Sequence, residues 1–170
     1  TGLVLPGSGD GTFSTARTFT TLGGLDGGLF GGRHVAVGDF NADGKVDWLR
    51  SAPPGLVVDF GNGSGGFTQG SLTFAIPGTS SNENANFLPA DFDDDGDVDL
   101  LVLTGGGYDN TLGKTSYWRN NGNLTFTDIT TTSGIPLNGV LSKGIGDFDQ
   151  DGDTDFIAVE NKAMPPQIYL

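Results

Sequence analysis

Short apolar runs broken by glycine set the rhythm of this chain. Stretches such as GLVVDF (55–60), LTFAI (72–76) and DFIAVE (155–160) are rich in Val, Leu, Phe and Thr and alternate with Gly, Asn, Asp and Ser clusters. That is the pattern of many short strands joined by tight turns. No stretch of ten or more residues carries the 3.6-residue apolar period of an amphipathic helix, so the pattern predicts an all-β fold.

The pattern also repeats. An acidic segment followed by an apolar run occurs three times, as DFNADGKVDWLRS from Asp39, DFDDDGDVDLLVL from Asp91 and DFDQDGDTDFIAV from Asp147, at separations of 52 and 56 residues. A second marker alternates with it: GSGDGTF, GNGSGGF and NNGNLTF end at Phe13, Phe67 and Phe126, separations of 54 and 59 residues. Two independent markers with one period of about 55 residues define a repeat, and that length suits a four-stranded antiparallel blade. In each unit a strand such as HVAVGDF enters the acidic loop and VDWLRS or VDLLVL leaves it. A third strand (GLVVDF, TSYWRN) runs into the glycine-rich turn, and a fourth (GGFTQGSLTFAI, LTFTDITTT) closes the sheet. The resulting boundaries are 1–32 for the last strands of a preceding blade, 33–82 and 83–138 for two full blades, and 139–170 for a partial third. The end of the chain, PPQIYL, reads as another third strand, with Tyr169 aligned to Tyr117, Val58 and Val4.

The acidic segments have a ligand pattern. Numbered from its first aspartate, each has Asp or Asn at positions 1, 3, 5 and 9 and Gly at position 6. Loop 1 offers Asp39, Asn41, Asp43 and Asp47 around Gly44; loop 2 offers Asp91, Asp93, Asp95 and Asp99 around Gly96; loop 3 offers Asp147, Asp149, Asp151 and Asp155 around Gly152. Alternate spacing lets a curved backbone aim successive carboxylates at one centre. Glycine at 6 permits the sharp turn, and position 7 (Lys45, Asp97, Asp153) would bind through its main-chain carbonyl. All-oxygen donors select a hard cation, and a flexible set of about seven suits Ca²⁺ better than octahedral Mg²⁺. An EF-hand would need Glu at position 12, where this chain has Arg50, Val102 and Ala158, and a strand rather than a helix follows. About three calcium ions per chain are expected, the weakest in loop 1, which has the fewest carboxylates.

Composition narrows the function classes. Glycine and proline account for 38 of 170 residues, about 22%, below the level that marks low-complexity disorder. A formal charge of −13 disfavours nucleic acid and anionic membrane surfaces, and no apolar run is long enough to span a bilayer. The absence of cysteine excludes disulfides, thiolate catalysis and Cys-ligated zinc. The sequence opens on TGLVLPGSGDG without Met, and reads as a mature, processed or partial chain.

The segments GDFNADGKVDWL, ADFDDDGDVDLLVL and GDFDQDGDTDFIAV, with the GSGDGTF-type turn, resemble the FG-GAP or VCBS repeat family, the blades of integrin-α-like propellers. The resemblance covers nearly the whole chain. It implies a calcium-binding β-propeller module, usually extracellular, used for adhesion, ligand recognition or as a non-catalytic part of secreted enzymes. About three blades do not close a ring, which needs at least four. Completion by the remainder of a longer propeller, or by other copies of the chain in a ring or fibre, is therefore expected.

The remaining candidates carry less chemistry. Trp48, just after position 9, aligns with Leu100 and Phe156 and is read as core, whereas Trp118 aligns with Asp59 and Leu5, a position that does not demand an apolar residue. With Tyr108, Tyr117 and Arg119 it forms the candidate sugar-stacking platform of an alternative reading: a lectin-like module binding glycans or extracellular matrix. Asn62-Gly63-Ser64 and Asn123-Leu124-Thr125 are glycosylation sequons. His34 has no Ser or Cys partner at a recognisable spacing, and no catalytic constellation emerges, so the chain is not read as an enzyme.

Overall fold

A computed structural model describes residues 2–19, 35–52, 55–74, 85–104, 114–135, 140–160 and 167–169. Every regular element among them is a strand. Strands β1 (Gly2–Val4) and β2 (Arg17–Phe19) form an N-terminal pair. Sheet I contains β3 (Val35–Gly38), β4 (Asp47–Ala52), β5 (Gly55–Gly61) and β6 (Phe67–Phe74), and each strand pairs antiparallel with the next. Sheet II repeats that order with β7 (Ala85–Ala90), β8 (Asp99–Thr104), β9 (Lys114–Asn120) and β10 (Phe126–Asp128). Sheet III contains β11 (Val140–Gly146), β12 (Asp155–Glu160) and β13 (Gln167–Tyr169). The fold is all-β, built from antiparallel sheets in blade-like up-and-down order. Their first strands, β3, β7 and β11, lie side by side.

Sheet II packs through both faces, which explains the continuous apolar runs of its inner strands. Leu49 and Val58 of sheet I pack with Phe87, Leu100, Val102 and Trp118 of sheet II. The opposite face of sheet II presents Leu101, Leu103 and Tyr117 to Phe156 and Ala158 of sheet III. Because successive strand residues point to opposite faces, Leu100 and Leu101 enter different cores.

Repetition extends to the turns. Between the third and fourth strands, the N–H of Ser8, Asn62 and Asn121 donates to the carbonyl of Thr12, Gly66 and Thr125 at 2.9, 3.0 and 3.0 Å. Asp10 and Asn123, equivalent in these turns, each accept the N–H two residues on, from Thr12 and Thr125.

Three sequence expectations change. The fourth strand expected over LTFTDITTT stops at Asp128. The Asp128 carboxylate accepts the Thr130 N–H and hydroxyl, which turns the chain, while Thr130 Oγ1 accepts the Tyr117 N–H (2.9 Å) that a continuing strand would have paired. Second, Tyr169 lies opposite Phe156, as Trp118 lies opposite Leu100 and Asp59 opposite Trp48. It is therefore equivalent to Trp118, not Tyr117, a one-residue slip that exchanges the two faces.

The third concerns the stacking platform. Trp118 and Tyr117 are each 8% exposed and, as neighbours on one strand, enter opposite cores. Trp118 packs between sheets I and II, so the two rings cannot form one exposed surface. Arg119 is half-buried on the same strand, and Tyr108 and His34 lie outside the described residues.

Candidate metal centre

Each acidic loop joins the first strand of its sheet to the second, β3 to β4, β7 to β8 and β11 to β12. Its shape is set by its own side chains. Position 1 accepts the N–H of the position-6 glycine: Gly44 to Asp39 (2.7 Å), Gly96 to Asp91 (2.9 Å) and Gly152 to Asp147 (3.2 Å). Position 5 accepts the N–H of position 7 at 2.9 Å in all three loops, through Asp43, Asp95 and Asp151. These local bonds replace a strand ladder and curl the backbone around the carboxylates. The position-6 glycines have φ of +80°, +91° and +104°, as the sharp turn requires. Position 4 is also left-handed, at Ala42, Asp94 and Gln150 with φ of 56°, 56° and 66°. Three dissimilar residues there gave no sequence signal.

Position 9 anchors the loop to the sheet. Asp47, Asp99 and Asp155 are buried, and each accepts the N–H of the position-2 phenylalanine, from Phe40 (3.1 Å), Phe92 (3.4 Å) and Phe148 (2.6 Å). Asp47 and Asp99 also accept an N–H from the end of the third strand, from Gly61 (2.9 Å) and Asn120 (2.8 Å). Asp99 takes a further bond from the Tyr117 hydroxyl at 2.7 Å. Burial pushes the Asp47 and Asp99 carboxyls above the usual carboxylate range against these hydrogen bonds. Burial and the Asp99 bond likewise raise the Tyr117 phenol.

In loop 2, one carboxylate oxygen from each of Asp91, Asp93 and Asp99 lies within 4.8 Å of the others; loop 3 gathers Asp147, Asp149 and Asp151 in the same way. Asp91 Oδ1 is buried without a hydrogen-bond partner, a costly state for a charged oxygen unless a cation shares it. The donor set, carboxylates without His or Cys, fits a hard divalent cation.

Loop 1 differs, because Asn41 replaces a carboxylate and the Lys45 ammonium lies 2.7 Å from Asp43 Oδ2. That hydrogen bond lowers the Asp43 carboxyl and raises Lys45, so a tethered cation occupies one candidate ligand of this loop. The position-7 side chains lie at the third-to-fourth-strand turn: Lys45 at Gly63, and Asp97 at Gly122. Asp153 reaches the neighbouring loop, where a hydrogen bond with Asp94 is the main cause of its raised carboxyl. Both sequon asparagines are exposed but bound within their turns: Asn62 Oδ1 accepts the N–H of Ser64 (2.8 Å) and Gly66 (3.0 Å), and Asn123 Oδ1 that of Thr125 (3.1 Å).

The architecture is that of a sheet-repeat protein whose acidic loops all occupy one connection. Residues 91–158, from the first aspartate of loop 2 to Ala158 on the strand after loop 3, match the family model described as the FG-GAP-like repeat. That segment is thus similar to an FG-GAP-like repeat. No match was found among curated proteins.

Proposed function

We propose that this chain is an extracellular calcium-binding repeat module with a scaffold or adhesive role, secreted or displayed at a cell surface. Each acidic loop takes one Ca²⁺, which holds its sheet's first two strands together. The partner is the remainder of a longer propeller or further copies of the chain. The supporting observation is loop 2, where the buried, unpartnered Asp91 Oδ1 belongs to a carboxylate grouped with those of Asp93 and Asp99. Three divalent ions would bring the formal charge from −13 to −7. Extracellular sites of this kind bind at about 10⁻⁴–10⁻³ M, matched to millimolar external calcium. Calorimetric titration should resolve binding that Asp93→Ala reduces by one ion, with loop 1 filling last. A flat titration, or an Asp93→Ala isotherm identical to the parent's, rejects the reading.

Calcium and protons should act oppositely on stability. An ion at ten times its Kd contributes about 1.4 kcal/mol per site, so chelation lowers the melting temperature. Without calcium, the raised Asp47 and Asp99 carboxyls bind protons more tightly in the folded chain. Their contribution is fully present below the unfolded carboxylate range and is lost as pH rises through the folded values. The chelated protein should therefore gain stability from these groups on moderate acidification. The calcium-loaded protein should lose stability instead, because protons compete for the same oxygens. Melts between about pH 4 and pH 7, with and without EDTA, test the sign; parallel profiles contradict it.

A further inference from the structure

Asn120, the last residue of β9, is fully buried, and its side chain crosses between two sheets. Its Nδ2 donates to the Phe40 carbonyl of loop 1 (3.1 Å) and the Val98 carbonyl of loop 2 (3.2 Å), while Oδ1 accepts the Gly122 N–H (3.2 Å). Its own N–H donates to Asp99 (2.8 Å). Phe40 in turn donates its N–H to Asp47 (3.1 Å). One continuous path therefore links the buried carboxylate of loop 1, Asp47, to that of loop 2, Asp99, through the main chain of Phe40 and through Asn120.

The side chain is what makes the path. In sheet I the equivalent residue is Gly61, which gives its N–H to Asp47 as Asn120 does to Asp99 but has nothing to reach a neighbouring loop. The bridge spans 80 residues of sequence. It lies beside the contact between Val98 and Gly38, where a Cβ on Gly38 would stand 3.1 Å from Val98 Cγ1, so the carbonyls it joins are closely held.

We propose that Asn120 is a positioning residue that couples loop 1 to loop 2, so that a change at either loop is felt at the other. An ion drawing on Asp99 fixes the end of β9 and thus the Asn120 amide on Phe40. By linkage, order in loop 1 acts back on loop 2 to the same extent. The ion-binding arm of this inference rests on the calcium reading above; the bridge itself does not.

The test uses the amides of Asp43, Gly44 and Lys45 as reporters of loop 1, since each is hydrogen-bonded within it. In EDTA, Asn120→Ala should speed their hydrogen exchange by about fivefold and leave Gly152 and Asp153 of loop 3 unchanged. In calcium, Asp93→Ala should weaken binding at loop 1 by at least about fivefold when Asn120 is present, and by less than about twofold when it is replaced. A merely structural asparagine would not alter the effect of Asp93→Ala on loop 1. Asn120→Gly, which copies Gly61, serves as the second variant should the alanine protein not fold. Unchanged loop 1 exchange in EDTA overturns the bridge, as does an Asp93→Ala effect that is the same with and without Asn120. If no loop binds calcium, the calcium reading fails and the EDTA comparison alone decides the coupling.

Discussion

Replacing Asp99 with alanine is expected to destabilise the fold by roughly 3–5 kcal/mol and to remove the ion binding proposed for loop 2. The carboxylate is fully buried and accepts the Tyr117 hydroxyl (2.7 Å), the Asn120 N–H (2.8 Å) and, at longer range, the Phe92 N–H (3.4 Å). Truncation leaves the donors of Tyr117 and Asn120, both buried residues, without an acceptor, at about 1–3 kcal/mol each. Asp99→Asn separates this structural role from the proposed metal role. It keeps the shape and one acceptor oxygen, but its amide turns two donors toward donors and its charge is gone. The alanine penalty should persist in EDTA, whereas a larger share of the asparagine penalty should appear only with calcium. Urea unfolding under both conditions measures the two. An Asp99→Ala loss below about 1 kcal/mol would mean that the donors find other acceptors.

What the sequence made legible was local. Alternating Asp, Gly at position 6 and a period near 55 residues announce the three loops, because the groups that shape each loop lie within about ten residues of one another. Strand identity was equally readable, since Gly55–Gly61 and Lys114–Asn120 carry their own β-propensity. Facing was not. Inner strands are buried on both sides, so LLVL after loop 2 shows no polar alternation to say which leucine enters which core. The same ambiguity made Trp118 look free for ligand and shifted Tyr169 by one residue, because register is set by ladder pairing rather than by aromatic identity. The Asn120 bridge had no sequence signal at all, since its partner Phe40 lies 80 residues away in the acidic loop of another sheet.

Loss of either member of the Arg50–Asp59 pair is the second large effect expected. The two side chains meet at 2.6 Å (Nε to Oδ2) and 3.3 Å (Nη2 to Oδ1), a two-point contact, and each is only 4% exposed. They lie on the face of sheet I opposite Leu49 and Val58, where the equivalent positions of sheet II hold Val102 and Trp118. Asp59→Ala should cost about 3–5 kcal/mol by leaving the guanidinium without its carboxylate in a site closed to water. Replacing both, as Arg50→Met with Asp59→Leu, should be near neutral or stabilising, because desolvating the two charges offsets most of their attraction. What the double variant is expected to lose is discrimination. With a charged pair on one sheet and an apolar pair on the next, the two faces cannot exchange neighbours without burying an unmatched charge. Thermal melts of the single and double variants give the energies, and light scattering reports whether the double variant begins to associate. A double variant as unstable as Asp59→Ala would show that the pair contributes net stability beyond charge matching, and would remove the argument that it serves the order of the sheets.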